Sequence, residues 1–105
     1  MRFLETSVFT RALAELLEDD AYHGLQLALW LRPELGKVIR GSGGLRKLRW
    51  AVPGQGKRGG ARIIYYWDEP TETFYLLYAY RKSAQADLSA AQVKALSRLV
   101  REEFG

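Results

Sequence analysis

Three segments in the middle of the chain restrict the fold more than any other feature. LRKLRWAV, ARIIYYW and TFYLLYAY, at residues 45–52, 61–67 and 73–80, are rich in β-branched and aromatic residues, a composition that favours β-strands. The stretches PGQGKRGG and DEPTE separate them and consist largely of turn-forming residues. Because strands joined by short connections pair antiparallel, the sequence predicts a three-stranded antiparallel meander at the centre of the fold.

Two helices are predicted before the meander. Apolar residues recur at helical spacing over residues 8–17 and again over residues 22–29. Asp19 or Asp20 is expected to cap the second helix, and Pro33 should end it near residue 31. The break between the two helices is short, so they should form an antiparallel hairpin.

One strand and one helix complete the predicted order. RFLETS at the N-terminus is typical of a short opening strand, and SAAQ at residues 89–92 matches a capping box, with Ser89 at the N-cap and Gln92 three residues later. The sequence therefore predicts one domain over residues 1–105 with the order β-α-α-β-β-β-α. Its fold class is α+β, with two layers.

The net charge and the amino-acid composition narrow the class of function. The chain of 105 residues has a net charge of +4 and a pI near 9.6, which favours nucleic acid or an acidic protein as a partner. The absence of cysteine excludes disulfides, zinc–thiolate sites and a thiol nucleophile. With no signal-peptide pattern and no apolar run of about 20 residues, we expect a soluble, cytoplasmic protein without a membrane partner.

The positive charge is concentrated in one part of the chain. Between Leu35 and Trp67 the sequence contains eight of its sixteen Lys and Arg residues and no Asp or Glu. Ordinary protein surfaces mix charges of both signs. This region is therefore interpreted as a surface for a polyanion or the working site of an enzyme with a polyanionic substrate, although a solvated sheet face remains the alternative.

Strand alternation predicts where these charges point. If Leu48 and Trp50 cover the helical hairpin, Lys47 and Arg49 stand on the opposite face, and Arg62 on the next strand can lie beside them. Arginine offers a planar fork to phosphate oxygens and lysine a compact charge. The predicted cationic cluster consists of Lys47, Arg49, Arg62 and Lys82, with Lys57 and Arg58 on the loop above it.

Further residues are candidates for RNA contact or proton transfer. Arg46 and Tyr66 join Lys57 and Arg58 as predicted RNA-binding residues, and Tyr66 or Tyr80 could stack on an unpaired base. Arginine cannot act as a base, whereas Lys47 or Lys82 could if the neighbouring cations depress its pKa. The sequence does not suggest a metal site or a cofactor.

The same motifs resemble a known family. GLRKLRWA, GKRGG, ARIIYY, FYLLYAYRK and DLSAAQ, in the predicted element order, are similar to the RelE/ParE toxin superfamily of type II toxin–antitoxin systems, and within it to the HigB-like branch. The resemblance implies a metal-independent endonuclease that cleaves mRNA in the ribosomal A site through the RNA's own 2′-hydroxyl. It also implies a cognate HigA-like helix-turn-helix antitoxin as partner, beside the ribosome and mRNA.

By position, the resemblance carries the catalytic roles of the family to Lys47, Arg49, Arg62 and Lys82. Many members add a Tyr or His near the C-terminus, and SAQADLSAAQ contains neither, so Tyr80 or Tyr66 becomes the nearest substitute. Two alternatives stay open at this point. One is inhibition of DNA gyrase by protein contact, as in ParE-like members, and the other is a non-catalytic RNA-binding module.

Overall fold

A computed structural model describes residues 1–51 and 60–103 of the chain. It contains three helices and five strands. In chain order these are β1 (Arg2–Glu5), α1 (Ser7–Leu16), α2 (Asp19–Leu31), β2 (Lys37–Val38), β3 (Arg46–Trp50), β4 (Ala61–Asp68), β5 (Thr73–Arg81) and α3 (Ala90–Glu103). The α+β class and the order expected from the sequence are confirmed, with β2 as an additional two-residue strand.

The five strands form one mixed sheet in the order β1-β5-β4-β3-β2. β3, β4 and β5 are the antiparallel meander expected from the sequence, and β2 pairs antiparallel with β3 at one edge. β1 pairs parallel with β5 at the other edge, because the α1–α2 hairpin carries the chain back across the sheet. The meander thus lies at the centre, flanked by a short strand on each side.

The helical hairpin begins and ends where local sequence signals allow. The Thr6 hydroxyl caps α1 by accepting a hydrogen bond of 3.0 Å from the Phe9 N–H. α2 starts at Asp19 with Glu18 at its N-cap, so the expectation of an aspartate cap is wrong. Asp19 and Asp20 instead lie in the first turn, where their negative charge is favourable at the positive end of the helix dipole. The helix ends at Leu31, two residues before Pro33.

The sheet is covered by helices on both of its faces. On the face that we call the hairpin face, α1 and α2 pack on alternate strand residues, among them Leu48, Ile63 and Tyr65. On the opposite face, the α3 face, residues such as Ile64 and Tyr80 pack with the apolar side of α3. As the alternation predicts, Leu48 and Trp50 lie on the hairpin face. Lys47 and Arg49 are therefore placed on the α3 face.

A β-bulge changes the alternation in β5. Ile64 pairs with Tyr78 whereas its neighbour Tyr65 pairs with Leu76, so Leu77 is an extra residue without a partner in the register. Leu77 and Tyr78 consequently both pack on the α3 face, where simple alternation would place them on opposite faces. The bulge at Leu77 lies three residues before Tyr80 and so sets the face on which the last part of β5 presents its tyrosines.

Polar contacts fix the position of α3. The capping box is confirmed, since the Gln92 N–H donates to Ser89 Oγ at 3.1 Å and the Ser89 N–H donates to Gln92 Oε1 at 2.9 Å. Ser97 Oγ donates to the Ser42 carbonyl at 2.6 Å and ties the helix to the turn between β2 and β3. None of the helices in the described residues is long and apolar enough to cross a membrane.

Candidate functional site

Three neighbouring strands bring basic residues together on the α3 face. Arg49 on β3 pairs with Arg62 on β4, and Arg62 pairs in turn with Tyr80 on β5. Directly paired residues on one face have Cβ atoms about 5 Å apart, and Lys47 precedes Arg49 on the same face at a spacing of about 7 Å. The strand pairing thus brings together Lys47, Arg49 and Arg62, three of the four residues of the predicted cationic cluster, and places Tyr80 beside Arg62. We call Lys47, Arg49 and Arg62 the basic cluster.

Arg62 is the buried member of the basic cluster. Its side chain is 4% exposed, and its Nη1 donates to the carbonyl of its own neighbour Ala61 at 3.3 Å. Within residues 1–51 and 60–103 no carboxylate forms an ion pair with it. Because a guanidinium is always charged in a protein, this charge is buried without a counter-ion from the described part of the chain. Such a group is energetically suited to binding an anion.

Among the residues that the structure describes, a single carboxylate reaches the basic cluster, from the segment that leads into α3. Asp87 Oδ1 lies 3.2 Å from Lys47 Nζ, which is the one ion pair in the described parts of the chain. The same oxygen accepts a hydrogen bond of 2.8 Å from the Leu88 N–H. The Leu88 N–H and then the Lys47 ammonium hold the pKa of Asp87 below its ordinary value. Asp87 is therefore a carboxylate at neutral pH.

Sequence reasoning missed Asp87. SAQADLSAAQ contains no tyrosine or histidine, and an aspartate whose partner lies forty residues away in the chain gives no local signal. One hint was present, since Asp87 comes two residues before the capping-box residue Ser89 and so belongs to the segment that sets the start of α3.

Tyr80 presents a buried hydroxyl to the same site. The residue is 5% exposed. Its hydroxyl makes no hydrogen bond of ordinary geometry among the described residues, but Asp87 is its neighbour and interacts with it as a looser hydrogen-bond partner. Burial, followed by the nearby Asp87 carboxylate, raises the pKa of Tyr80 to about 12, while the Arg62 charge acts in the opposite direction. The phenol is thus protonated at neutral pH and can donate a hydrogen bond, but it cannot serve as a general base there.

Side-chain contacts tie the segment after β5 to the sheet next to Tyr80. The Tyr78 ring packs against the Tyr80 ring with centroids 5.8 Å apart, and the Tyr78 hydroxyl donates to Gln85 Oε1 at 3.5 Å. Gln85 Nε2 donates to the Asp87 carbonyl at 2.9 Å. A cavity of about 330 Å³ lies beside these residues, between β5, α1 and the segment that follows β5. The site therefore has a defined wall and an adjoining space.

Two of the predicted RNA-binding residues lie away from the cluster. Arg46 is on the hairpin face, where its Nη1 donates to the Gly36 carbonyl at 2.7 Å and to the Glu34 carbonyl at 3.3 Å. Tyr66 is on the α3 face but four residues further along β4 than Arg62, and it packs against Tyr75 with ring centroids 6.4 Å apart. The placement of these two residues therefore gives no support to their predicted RNA contacts.

The remaining predicted site residues are Lys82, Lys57 and Arg58. Lys82 comes directly after β5, is exposed, and its backbone N–H donates to the Gly60 carbonyl at 3.3 Å. Lys57 and Arg58 lie outside the described residues. In the described ranges no group of three or more His, Cys, Asp or Glu side chains is arranged to hold a metal ion.

The fold and the site together define a class of protein: a small α+β domain whose central sheet carries paired basic residues and a buried arginine on one face. Residues 34–104 match the family model of the RelE toxin of the RelE/RelB toxin–antitoxin system. The match covers more than half of the chain and includes the whole basic cluster, and the chain belongs to this family. It is thus the toxin of a toxin–antitoxin system, and an antitoxin is its partner.

Proposed function

We propose that this toxin is a ribosome-dependent endoribonuclease that cleaves mRNA in the ribosomal A site. The observation that carries the proposal is Arg62, a guanidinium that is 4% exposed and has no ion-pair partner among the described residues. Two further cations, Lys47 and Arg49, stand beside it. A phosphodiester supplies the missing negative charge and fits the planar fork of an arginine.

The proposed reaction is transesterification by the 2′-hydroxyl of the RNA. It forms a bond between the 2′-oxygen and phosphorus, breaks the bond to the 5′-oxygen, and passes through a phosphorane with additional negative charge. Arg62 and Arg49 are proposed to stabilise that charge, with Lys82 after β5 as a further donor. One well-placed donor of this kind contributes roughly 3–4 kcal/mol.

Proton transfer is assigned from the chemical state of the groups. The protonated Tyr80 hydroxyl, which lies beside Asp87, is proposed to donate a hydrogen bond to a phosphate oxygen or to the departing 5′-oxygen. Lys82 is the candidate base for the 2′-hydroxyl, and the proton that it takes is returned to the departing 5′-oxygen. Lys47 is held as an ammonium by Asp87 and acts as a cation instead. Such groups are modest catalysts, and the ribosome is proposed to supply the remaining orientation of the RNA. The chemistry requires no metal or cofactor.

The branch of the family, the cellular location and the type of antitoxin are part of the same proposal. We infer a HigB-like toxin that acts in the cytoplasm as one domain and is neutralised by a HigA-like helix-turn-helix antitoxin. The support for the branch and for the type of antitoxin is the sequence resemblance alone, whereas the family match over residues 34–104 supports the toxin–antitoxin class.

The test combines growth, antitoxin binding and RNA cleavage. Expression of the wild-type chain without antitoxin should arrest growth and produce cut mRNA in a translating extract. Arg62→Ala and Lys82→Ala should relieve the arrest and still bind the antitoxin, which shows that they fold. Two fully toxic variants would contradict the site. Loss of DNA supercoiling without cut mRNA would favour gyrase inhibition, and intact RNA on inhibited ribosomes would favour a non-catalytic RNA-binding module.

A further inference from the structure

Asp87 is the one acidic side chain that reaches the basic cluster in the described residues, and its position is built into the fold. Its backbone carbonyl accepts from Gln85 Nε2 at 2.9 Å, and its Oδ1 accepts from the Leu88 N–H at 2.8 Å. The Gln85 side chain is itself held by the Gln92 side chain at the start of α3, with 2.5 Å between Nε2 and Oε1. The carboxylate is therefore directed to Lys47 by the segment that begins α3.

The Lys47–Asp87 ion pair is exposed enough to exchange its partner. The Lys47 side chain is 32% exposed and that of Asp87 is 68% exposed, with 3.2 Å between Nζ and Oδ1. Exposed ion pairs of this type are weak. An incoming phosphate oxygen has the same charge and the same acceptor chemistry as the carboxylate oxygen that Lys47 holds in the free protein. Asp87 and a phosphate at the cluster would thus compete for Lys47.

We propose that Asp87 is a resident counter-anion of the basic cluster, which holds Lys47 in the free protein and is exchanged for a phosphate of single-stranded RNA. The proposal rests on the proposed function in one respect, namely that the ligand of the cluster is RNA. Its consequence is selectivity: Asp87 lowers the affinity for RNA in general, so that the cluster binds a phosphate tightly only where the RNA is already positioned. Asp87 is in this sense a specificity-determining residue, and it does not have to take part in the chemical step.

The experiment compares two variants that change the net charge equally. Asp87→Asn removes the charge but keeps a side-chain oxygen that can accept from the Leu88 N–H. Glu69→Gln removes an exposed carboxylate in the turn after β4, seven residues and about 20 Å from Arg62 along the sheet. The probe is a short single-stranded RNA with 2′-O-methyl groups, which cannot be cleaved through its 2′-oxygen. Binding is measured by fluorescence anisotropy at one fixed salt concentration, because the affinity depends strongly on salt.

Asp87→Asn should bind the RNA about fivefold more tightly than the wild-type chain, and Glu69→Gln should stay within about twofold. In a Lys47→Gln background the effect of Asp87→Asn should fall below about twofold, because the freed partner is absent. Asp87→Ser, which also keeps an acceptor for the Leu88 N–H, gives a second route to the same measurement if the asparagine variant does not fold.

Two results would overturn the proposal. One is equal RNA affinity of Asp87→Asn and Glu69→Gln, including no measurable binding by either. The other is weaker binding by Asp87→Asn, which would make Asp87 a residue that only orients Lys47. Because the probe cannot be cleaved, the outcome is separate from that of the proposed function. Tighter binding by Asp87→Asn with no mRNA cleavage by the wild-type toxin would sustain the counter-anion and refute the endonuclease.

Discussion

Replacing Arg62 with methionine should make the protein more stable and less active. The guanidinium is buried on the α3 face, its cross-strand neighbour Arg49 carries the same charge, and the described residues offer it no carboxylate. Methionine fills a similar volume with an unbranched, flexible side chain. The substitution therefore removes the cost of a buried charge without opening a large cavity.

The magnitude follows from three contributions. Loss of the 3.3 Å hydrogen bond from Nη1 to the Ala61 carbonyl should cost about 1.5 kcal/mol, the lower end of the range for a charged donor, because the bond is long. Replacement of buried ionic groups by apolar ones is often neutral or stabilising by roughly 1–4 kcal/mol, and relief of the repulsion from Arg49 adds to this. We expect a net gain of about 1–2 kcal/mol in the free energy of unfolding, and a rise of roughly 5–10 °C in Tm.

The assay is thermal and denaturant unfolding of the wild-type chain, Arg62→Met and Arg62→Lys, with mRNA cleavage in a translating extract measured in parallel. The lysine variant retains a charge but loses the fork, so it should gain no stability. Cleavage by Arg62→Met should fall by about 10²–10³-fold, as expected for loss of one transition-state donor. An Arg62→Met variant that is less stable than wild type by more than about 1 kcal/mol would refute the reasoning, since the guanidinium would then be a stabilising part of the fold.

Three further predictions concern Tyr80 and Tyr65. Tyr80→Phe should leave the free energy of unfolding nearly unchanged, because the buried hydroxyl makes no hydrogen bond of ordinary geometry in the described chain and interacts only loosely with Asp87. Cleavage should fall at least about tenfold, and unchanged cleavage would remove Tyr80 from the site. In a spectroscopic pH titration, Tyr80 should ionise near pH 12 rather than near its ordinary pKa of 10.0, and comparison with Tyr80→Phe identifies its signal. Because the pKa of Tyr80 is higher in the folded than in the unfolded state, its contribution to the free energy of unfolding is present below pH 10 and is lost as the pH approaches 12. Tyr65→Phe should destabilise the fold by about 1–3 kcal/mol, because the Tyr65 hydroxyl accepts from the Gly36 N–H and donates to the Pro33 carbonyl, both at 2.8 Å. The loss of stability should be at least as large as that of the cap variant Thr6→Ala, about 1 kcal/mol. An unchanged free energy of unfolding would contradict these bonds.

The basic cluster could be predicted from the sequence because it depends on strand geometry. In LRKLRWAV the apolar Leu48 and Trp50 identify the buried side, and the period of two then assigns Lys47 and Arg49 to the other side. The short connection from β3 to β4 requires an antiparallel neighbour, which can place Arg62 beside them. Each of these steps uses residues close together in sequence.

The features that the sequence did not reveal depend on distant contacts. The bulge at Leu77 arises from the register between β4 and β5, and no turn residue marks it in TFYLLYAY. The burial of Arg62 depends on what covers the α3 face, and the partner of Asp87 lies forty residues before it in the chain. Strand periodicity gives the direction of a side chain but neither its burial nor its long-range partner.

Cleavage by the basic cluster can be tested in cells by mapping the 5′ ends of mRNA after expression of the wild-type toxin or Arg62→Met without antitoxin. The wild-type toxin should produce new 5′ ends inside translated reading frames, which should be absent when translation is blocked and lost with Arg62→Met. New 5′ ends that persist with Arg62→Met, or that form without translation, would contradict the proposal that the basic cluster acts on mRNA in the ribosome.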